Sequence, residues 1–477
     1  MKRIVITGIG AVSPLGNTFE GSSEAIMAGM TGIRRITKFE TSSLPWKVAG
    51  ELRAFNATKY LSSKEMNRLD PFVQYALAAS VMAVEDSGLL QESEVILSGP
   101  KRSEQLCAKP KRHRNRVVPT STGTRFGTHF EGPASGSRRS GLKNLKEPYL
   151  PNKDYLTSGG VIIGSSRGGI STIENAFFRI QKSEVKNPEP RFKASNLRLS
   201  PYIMPSTTIS MASSYVAQKL GIKGYCLGIS NACASGTNAV GEAFRLLKSG
   251  HKGPLLAGGA EAPVCALCIE GYGVSGALSK TPHSRASRPF DRTRDGFVLS
   301  EGSCVLMLED YDIAVKRGAK IYSEIIGYVN TTDAFHQTKP DSKGEALAME
   351  SAIAEAGITP QDIDYINTHG TSTLLGDMTE ADAIRKVFGK RASEIPATAI
   401  KSMTGHMLAA SGAFETACTV ISLKKGIIPP TINLREQDTR CSLNIVTKKT
   451  AADISIAISN SFGFGGVNAV LVLKRFS

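Results

Sequence analysis

The sequence predicts an α/β protein built from two halves of similar plan. Short β-branched runs alternate with helical patterns along most of the chain, which is typical of layered α/β folds. The length of 477 residues exceeds what one hydrophobic core usually serves. The alternation also restarts after about residue 318. We therefore expect an N-terminal half over residues 1–312 and a C-terminal half over residues 313–477.

The elements before the restart are short buried strands and amphipathic helices. Strands are predicted over residues 2–7, 160–164, 225–231, 254–260 and 303–308. Helices are predicted over residues 22–30, 71–87, 236–249 and 313–317. A glycine-rich turn, Gly164–Gly169, follows the second of these strands.

The elements after the restart repeat this plan. Strands are predicted over residues 321–329, 363–367, 396–400, 454–459 and 469–473. Helices are predicted over residues 344–356, 380–388 and 409–424. No residue-level repeat accompanies the similarity of plan, so a duplication is inferred from the order of elements alone.

Charge is concentrated in one stretch of the chain. The formal net charge is +16, and the segment Lys101–Lys153 holds 13 Lys and Arg against 3 Asp and Glu. Residues from about 95 to 157 carry no sustained strand or helix period, so they cannot bury enough apolar surface to offset the entropy of ordering. We expect an exposed insertion there, inside the first half.

The sequence predicts neither a targeting segment nor a disulfide framework. The apolar stretch in Met1–Gly10 is short and broken by glycines, and no run approaches the ~20 residues of a membrane span. We therefore expect a cytoplasmic protein without membrane contact. The eight cysteines are scattered. Cys265 and Cys268 lack a second ligand pair at metal spacing, which favours buried structural thiols over a metal or redox site.

Cys233 is the residue best suited to covalent chemistry. The strand-like segment Tyr225–Asn231 precedes it, and the helix-like segment Ala234–Arg245 follows it. A thiol at such a turn lies at a helix N-terminus, where partial positive charge lowers the thiol pKa. The small residues around Cys233 leave room for an acyl group. An inert buried cysteine is the competing interpretation.

Two histidines follow predicted strands and stand beside glycine. His369 lies in the hydroxyl-rich turn Asn367–Thr373, and His406 ends the segment Lys401–His406. Neutral imidazoles that direct Nε2–H groups at one oxygen stabilise an oxyanion or an enolate. A single loop histidine is more often structural, but two of them together with Cys233 indicate acyl transfer through a thioester.

The segment Asn460–Asn468 is a glycine-interrupted turn with two aromatic residues. Its glycines suggest a phosphate-binding loop, but the G-x-G-x-x-G spacing and the P-loop lysine are missing from it. A mobile turn that presents a backbone N–H and an aromatic ring fits the pattern better. A tight turn between two strands is the alternative without a functional role.

Five segments together resemble the elongating β-ketoacyl-[acyl-carrier-protein] synthases of the thiolase-like superfamily, those of the synthase II kind above all. They are Ala232–Gly236, Arg294–Leu299, Asn367–Thr373, Lys401–His406 and Asn460–Gly466. The resemblance covers about residues 1–90 and 158–477. It implies a thiolase-like fold in which two duplicated α/β halves form a layered α-β-α-β-α arrangement.

The resemblance also implies a role for each site residue. Cys233 takes the acyl group, and His369 and His406 hydrogen-bond the malonyl thioester as decarboxylation generates an enolate. Phe464 is implied to contribute to the oxyanion hole and to gate the acyl pocket. Lys401, paired with Glu415, is implied to organise the histidines. Thr371 and Thr373 are implied to bind the phosphopantetheine arm. Loss of CO2 drives the condensation, so this chemistry needs no metal or redox cofactor. The implied partners are acyl carrier protein and a second copy of the chain in a homodimer.

Departures from the family pattern bear on substrate choice. Arg167 lies in the Gly164–Gly169 turn, where the family has an apolar or small residue that lines the acyl pocket. Leu374 follows Thr373 where proline is common, and the basic insertion is foreign to the pattern. A ketosynthase of polyketide or specialised-lipid assembly is therefore the alternative to fatty-acid elongation.

A function of another class is binding of an anionic polymer through the basic insertion. The cluster Arg112–Arg116 motivates this hypothesis, and non-specific binding of nucleic acid would weaken steeply with salt. A solvated loop is the favoured interpretation, so nucleic acid is not an expected partner. Attraction of an acidic carrier protein is a further possible role for the insertion.

Overall fold

The expected insertion falls largely outside the part of the chain that the structure describes. The structure, a computed structural model, describes residues 2–89, 152–184 and 199–477. The cluster Arg112–Arg116 therefore lies outside the described residues. The last six positions of the expected insertion contradict the prediction of an exposed segment. Asn152–Thr157 is a helix whose Tyr155 and Leu156 are only 5% and 2% exposed, because both pack into the core of the first half.

Strands and helices alternate along the described chain. The strands are β1 Ile4–Val12, β2 Arg34–Arg35, β3 Val48–Ala49, β4 Gly160–Gly164, β5 Cys226–Ile229, β6 Leu255–Glu261, β7 Gly302–Asp310, β8 Ser323–Thr332, β9 Tyr365–Asn367, β10 Pro396–Thr398, β11 Ile427–Ile428, β12 Asn444–Ile445, β13 Thr450–Ala451, β14 Ile456–Gly463 and β15 Val467–Arg475. The helices are α1 Phe19–Met27, α2 Ser63–Met66, α3 Pro71–Asp86, α4 Asn152–Thr157, α5 Ile170–Glu184, α6 Ile203–Thr207, α7 Met211–Leu220, α8 Ser235–Lys248, α9 Ala266–Val274, α10 Tyr311–Lys316, α11 Ser342–Glu355, α12 Leu374–Phe388, α13 Lys401–Thr404 and α14 Ala409–Lys425.

Eleven strands of the described chain form one large mixed sheet in the order β12-β10-β9-β14-β15-β8-β1-β7-β6-β4-β5. In the first half, β5, β4 and β6 are parallel, and β7 and β1 continue antiparallel. In the second half, β10, β9 and β14 are parallel, and β15 and β8 continue antiparallel. The halves meet where β1 pairs antiparallel with β8. The shared strand pattern confirms the predicted duplication of an α/β unit.

Helices lie on both sides of each half and between the halves. α3 and α7 cover the outer face of the first half, and α11 and α12 cover that of the second. α8 and α14 pack against each other and against strands of both halves. Their crossing is close, since a Cβ added at Gly236 would lie 2.2 Å from the carbonyl oxygen of Ala409. This order of layers is the predicted α-β-α-β-α arrangement, and it brings the N-termini of α8 and α14 together.

The long helix α3 shows how local sequence sets these elements. The side chain of Asp70 caps its N-terminus by accepting a hydrogen bond from Phe72 N at 3.1 Å, and Pro71 occupies the first helical position. The helix ends before Gly88, whose φ of +73° favours glycine. Asp70 also accepts hydrogen bonds from Thr172, so the cap ties α3 to the start of α5.

Most predicted elements are confirmed within a few residues, but seven helices and five two-residue strands of the described chain were missed. The missed helices are α2, α4, α5, α6, α7, α9 and α13, and the missed strands are β2, β3, β11, β12 and β13. α5 presents Ile173, Phe177 and Phe178 to solvent in the isolated chain, so its apolar residues do not follow the core-facing pattern that sequence analysis relies on. Within the described ranges, the chain forms no helix that is both long and apolar enough to cross a membrane.

Candidate active site

Cys233 lies in a tight turn between β5 and α8. Residues Ala232–Ala234 form a short 3-10 turn, and Ala232 adopts a left-handed φ of +46°, a strained value for a residue with a Cβ. The hydroxyl of Ser235 closes this turn by accepting a hydrogen bond from Asn231 N at 2.8 Å and donating one to the Ala232 carbonyl at 2.6 Å. The predicted strand–turn–helix setting of the thiol is therefore present.

The electrostatics of Cys233 differ from the sequence prediction. Burial raises the thiol pKa to about 11, while the positive charges of Lys401 and Arg167 and the N–H of Phe464 pull this pKa downward. The prediction that the helix N-terminus lowers the pKa is wrong for the resting protein. Local sequence shows the helix start, but it does not show how far the surrounding residues remove the thiol from water. Cys233 is therefore a thiol, not a thiolate, at neutral pH.

His406 contacts the sulfur directly. Its Nε2 lies 3.0 Å from Cys233 Sγ, and its Nδ1 lies 3.1 Å from Ser411 Oγ on α14. The backbone of His406 is held between Val298 and Ser300, with hydrogen bonds of 2.8 and 3.0 Å. The ring is thus fixed by the chain on one side and by a hydroxyl on the other.

His369 is fixed by a lysine. Lys401 Nζ donates to the carbonyl oxygen of His369 at 2.7 Å and lies 3.3 Å from its Nδ1. The same ammonium forms a short ion pair with Glu415, and both partners are about 1% exposed. Because an ammonium group only donates, Nδ1 of His369 accepts and its ring proton lies on Nε2.

The two imidazole rings lie together at the same sulfur. Their centroids are 5.4 Å apart at an angle of 85°, and the nearest side-chain atoms of Cys233, His369 and His406 all lie within 4.8 Å of one another. Burial and the charge of Lys401 hold the pKa of both histidines well below the usual range, and His406 lowers that of His369 further. Both rings are therefore neutral near pH 7.

A cysteine and two histidines at this spacing can also hold a metal ion. The groups behind the rings argue against that use. A metal-bound histidine normally donates its second ring N–H to a carboxylate or carbonyl. Here the second nitrogen of His369 faces the cation of Lys401 instead, an arrangement that suits hydrogen-bond donation from Nε2 better than binding of a cation.

A cavity of ≈ 400 Å³ opens onto these side chains. Cys233, His369 and His406 lie on its wall, and so do the predicted substrate-binding residues Thr371 and Thr373, whose hydroxyls are 2.9 Å apart. Its mouth includes the exposed Leu374 and Leu375, together with Lys339. The lining is thus reactive at the inner end and partly apolar toward solvent.

Phe464 and Arg167 reach the site in different ways. Phe464 lies between β14 and β15, lines the cavity and directs its backbone N–H at the Cys233 thiol. Its side chain is 37% exposed. Arg167 is outside the cavity lining, but its Nε donates to the hydroxyl of Tyr272 at 2.8 Å, and Tyr272 lies on the cavity wall.

Sequence analysis missed residues that position this site. The buried carboxylate of Glu380 accepts hydrogen bonds from the backbone N–H groups of His369 and Gly370, each at 2.8 Å. Arg294, fully buried, donates to the carbonyl oxygens of Thr373 and Leu374 at 3.0 and 2.7 Å. Ser411 is the third. The motif at Arg294 was visible in the sequence, but its contact with the threonine turn was not.

Comparisons with known proteins agree with this geometry. The family model described as beta-ketoacyl synthase, N-terminal domain, matches residues 1–102 and 145–314. The model described as beta-ketoacyl synthase, C-terminal domain, matches residues 322–435.

Relatives named 3-oxoacyl-[acyl-carrier-protein] synthase 2 match the chain over nearly its whole length. One from Staphylococcus aureus is 37% identical, covering 100% of this chain and 99% of the relative. One from Synechocystis is 36% identical, covering 100% of this chain and 98% of the relative. One from Vibrio cholerae is 35% identical, covering 99% of both.

Solved structures show the same fold over the full length of both chains. The ishigamide ketosynthase/chain length factor matches with a TM-score of 0.79 at 29% identity. A type II PKS ketosynthase, solved in complex with its acyl-carrier protein, matches with a TM-score of 0.78 at 28% identity. Each match covers 100% of this chain and 100% of the other.

Proposed function

This chain belongs to the beta-ketoacyl synthase family, and we propose that it is a 3-oxoacyl-[acyl-carrier-protein] synthase that elongates fatty acids. The observation that carries the proposal is the meeting of one thiol and two neutral imidazoles at the inner end of a single cavity. The thiol comes from the first half of the chain and both imidazoles come from the second, so the site exists only in the folded molecule.

The first step loads an acyl group onto Cys233. The sulfur attacks the thioester carbonyl of an acyl group carried on acyl carrier protein, and the carrier thiol leaves. The backbone N–H groups of Cys233 and Phe464 stabilise the oxyanion that forms. Phe464 also gates the acyl group, since its exposed ring lies at the tip of a hairpin beside the sulfur.

The second step joins two carbons. The Nε2–H groups of His369 and His406 hydrogen-bond the carbonyl oxygen of the malonyl thioester, so the enolate that forms on loss of CO2 is stabilised. The enolate carbon attacks the acyl carbonyl on Cys233, and a 3-oxoacyl thioester leaves with its carrier. The driving force is the release of CO2, so the protein contributes position and hydrogen bonds.

Lys401 and Glu415 organise the second step. Their ion pair keeps positive charge behind His369, and this charge favours the neutral form of both rings in the resting site. Each ring therefore offers a neutral N–H donor instead of a charged acid. A donor that stays neutral does not quench the enolate by giving it a proton.

Acyl carrier protein is the proposed partner, and its phosphopantetheine arm carries both substrates. Thr371 and Thr373 both line the cavity that opens onto Cys233, so their hydroxyls can hydrogen-bond the amides of such an arm. The printed title of the related type II PKS structure describes an acyl-carrier protein in complex with its ketosynthase, which supports this class of partner.

A homodimer in the cytoplasm is the proposed form of the enzyme. Strand β5 lies at the edge of the large sheet. Exposed apolar side chains accompany this edge: Tyr225 is 42% exposed and Leu227, within β5, is 36% exposed. An edge strand beside apolar surface pairs readily with a second copy. We also propose the two halves, residues 1–312 and 313–477, as its structural units.

A condensation assay with malonyl-ACP and acyl-ACP tests the proposed function. Wild type is expected to form 3-oxoacyl-ACP, and the Cys233→Ala variant is expected to form none above background. The Cys226→Ser variant is the matched control, because Cys226 is exposed on β5 and outside the cavity lining. Equal condensation by wild type and Cys233→Ala would show that the nucleophile is assigned wrongly.

Assembly of polyketides is the second candidate, and the solved structures favour it. The two ketosynthases described above are polyketide enzymes or carry a chain length factor by title, whereas the relatives of higher identity are named for fatty-acid synthesis. A panel of acyl-ACPs of increasing length distinguishes the two, since a fatty-acid enzyme is expected to elongate saturated chains repeatedly.

A further inference from the structure

The two active-site histidines are held by different chemistry at Nδ1. On His369 this nitrogen faces the ammonium of Lys401 at 3.3 Å. On His406 it faces the hydroxyl of Ser411 at 3.1 Å. An ammonium has no lone pair and can only donate, whereas a hydroxyl donates one hydrogen bond and accepts two. His369 is thus locked with its proton on Nε2, and His406 is free to adopt either neutral tautomer.

The surroundings of Ser411 leave both options open. Its Oγ accepts a hydrogen bond from Met407 N at 2.8 Å, which occupies one lone pair. One further lone pair and the hydroxyl proton remain for His406 Nδ1. Ser411 is 2% exposed, near the start of α14, so water does not compete for this hydrogen bond.

We propose that Ser411 is a positioning residue that lets His406 carry its ring proton on Nδ1 before acyl loading and on Nε2 during condensation. Resting on the function proposed above, His406 accepts the Cys233 proton during acyl loading and donates Nε2–H during condensation. Ser411 accepts a hydrogen bond from Nδ1–H in the first case and donates one to the bare Nδ1 in the second.

The protons balance in each half-reaction. In acyl loading, the Sγ–H proton passes to His406 Nε2 while Sγ bonds to the acyl carbon. The bond from that carbon to the pantetheine sulfur breaks, and the departing thiolate takes the proton from Nε2. In condensation, the electrons of the carbon–carbon bond to the carboxylate become the enolate as CO2 leaves. The enolate carbon then bonds to the acyl carbon while the bond from that carbon to Cys233 Sγ breaks, and the freed Cys233 thiolate takes one proton from water. The two neutral tautomers exchange through cavity water between these steps.

A proton acceptor is required because Cys233 rests as a thiol. Its sulfur lies on the wall of the cavity, and burial raises its pKa to about 11. The charged and titratable groups that face the Cys233–His406 pair are His369, Lys401, Arg167, Glu261 and Tyr272. Lys401 and Arg167 favour the thiolate, whereas Glu261 disfavours it, so these groups do not replace a base at 3.0 Å.

The rate of Cys233 alkylation by iodoacetamide as a function of pH tests this inference. In wild type, His406 accepts the proton, so the rate is expected to be nearly flat between about pH 7 and pH 9. In Ser411→Ala, the rate is expected to rise about tenfold per pH unit, as for a thiol that must ionise unaided. Acyl loading from acyl-ACP at pH 7 is expected to fall roughly 10- to 100-fold, part of what a general base contributes.

Two further variants keep the test decisive. Ser422→Ala removes another buried hydroxyl from α14, one that bonds the Cys418 carbonyl at 3.1 Å, and is expected to keep the flat profile. Ser411→Thr keeps the hydroxyl, so its alkylation rate is also expected to stay nearly constant with pH. This variant provides the test if Ser411→Ala does not fold. A flat profile with unchanged loading in folded Ser411→Ala, or a steep profile in folded Ser411→Thr, overturns the inference.

The test also separates this inference from the proposed function. If wild type takes no acyl group from acyl-ACP, the function itself fails, whatever Ser411 does. If wild type loads and condenses while Ser411→Ala matches it at every pH, the function stands and only the role of Ser411 is removed.

Discussion

The two halves of the molecule share one topology but supply different parts of the reaction. The turn after β4 holds Arg167, and the topologically equivalent turn after β9 holds His369. In each turn a buried carboxylate accepts backbone N–H groups: Glu261 from Ser166 and Arg167 at 2.8 and 3.0 Å, and Glu380 from His369 and Gly370 at 2.8 Å. The scaffold is thus repeated, and the side chains it presents have diverged.

The two helices that begin at the cavity have diverged in the same way. Cys233 precedes α8 in the first half, and His406 precedes α14 in the second. Because α8 and α14 cross in close contact, their N-terminal turns converge on one point. Two equivalent positions of a duplicated fold therefore become the nucleophile and its proton partner, which neither half could supply alone.

Replacement of Lys401 is expected to have the largest effect on the second half of the molecule. Lys401→Met leaves Glu415 buried and unpaired, so the free energy of unfolding should fall by about 3–5 kcal/mol. Urea unfolding followed by circular dichroism measures this change. The double variant Lys401→Met/Glu415→Leu should recover most of the stability but not the condensation activity. A double variant as unstable as the single one would contradict the ion-pair account.

Replacing each histidine separately tests whether the two rings have different roles. His369→Ala removes one enolate donor, so condensation should fall roughly 10²- to 10³-fold while Cys233 still takes an acyl group. His406→Ala should slow both acyl loading and condensation. Separate loading and condensation assays measure the two steps. The exposed His283 provides the control variant His283→Ala, and equal loading by the two histidine variants would remove the difference between the rings.

The paired carboxylates offer a direct comparison of the two turns. Glu380→Gln and Glu261→Gln each keep the side-chain shape but replace one accepting oxygen with an NH2 group, which should cost about 1–3 kcal/mol of local stabilisation. Glu380→Gln should lower malonyl-ACP decarboxylation about tenfold, whereas Glu261→Gln should act mainly on acyl loading. Identical effects of both variants on both steps would show that the turns do not divide the reaction.

Arg167 is expected to give the smallest effect on rate and a change in selectivity. Its hydrogen bond to Tyr272 stiffens one cavity wall, so Arg167→Ala should leave condensation of the preferred acyl-ACP within about threefold and extend activity to longer chains. Competition among acyl-ACPs of different lengths measures this shift. The exposed Arg179 on the neighbouring helix supplies the control Arg179→Ala, and an unchanged length profile would leave Arg167 without a role in selectivity.

The sequence predicted what local chemistry determines. Strands and helices with strong periods, such as α3 and β4, were placed nearly to the residue, and small-residue motifs marked Cys233, His369 and His406. Contacts that depend on tertiary structure were not predictable. Glu380 meets His369 only because α12 returns the chain to the turn after β9, and the serine at 411 looks like any polar helix residue.

Two errors have the same physical origin. The predicted lowering of the Cys233 pKa considered the helix N-terminus but not the partial burial of the sulfur, which depends on residues far along the chain. The helix α4 was assigned to the insertion because the composition before it is basic, although Tyr155 and Leu156 pack into the core. Burial by distant segments decided both outcomes.

The most direct test of the central claim is peptide mass spectrometry of the enzyme after incubation with acyl-ACP, followed by addition of malonyl-ACP. The account predicts one acyl group on Cys233, discharged by malonyl-ACP with formation of 3-oxoacyl-ACP and CO2. An acyl group on any other residue, or one on Cys233 that malonyl-ACP leaves in place, would contradict it.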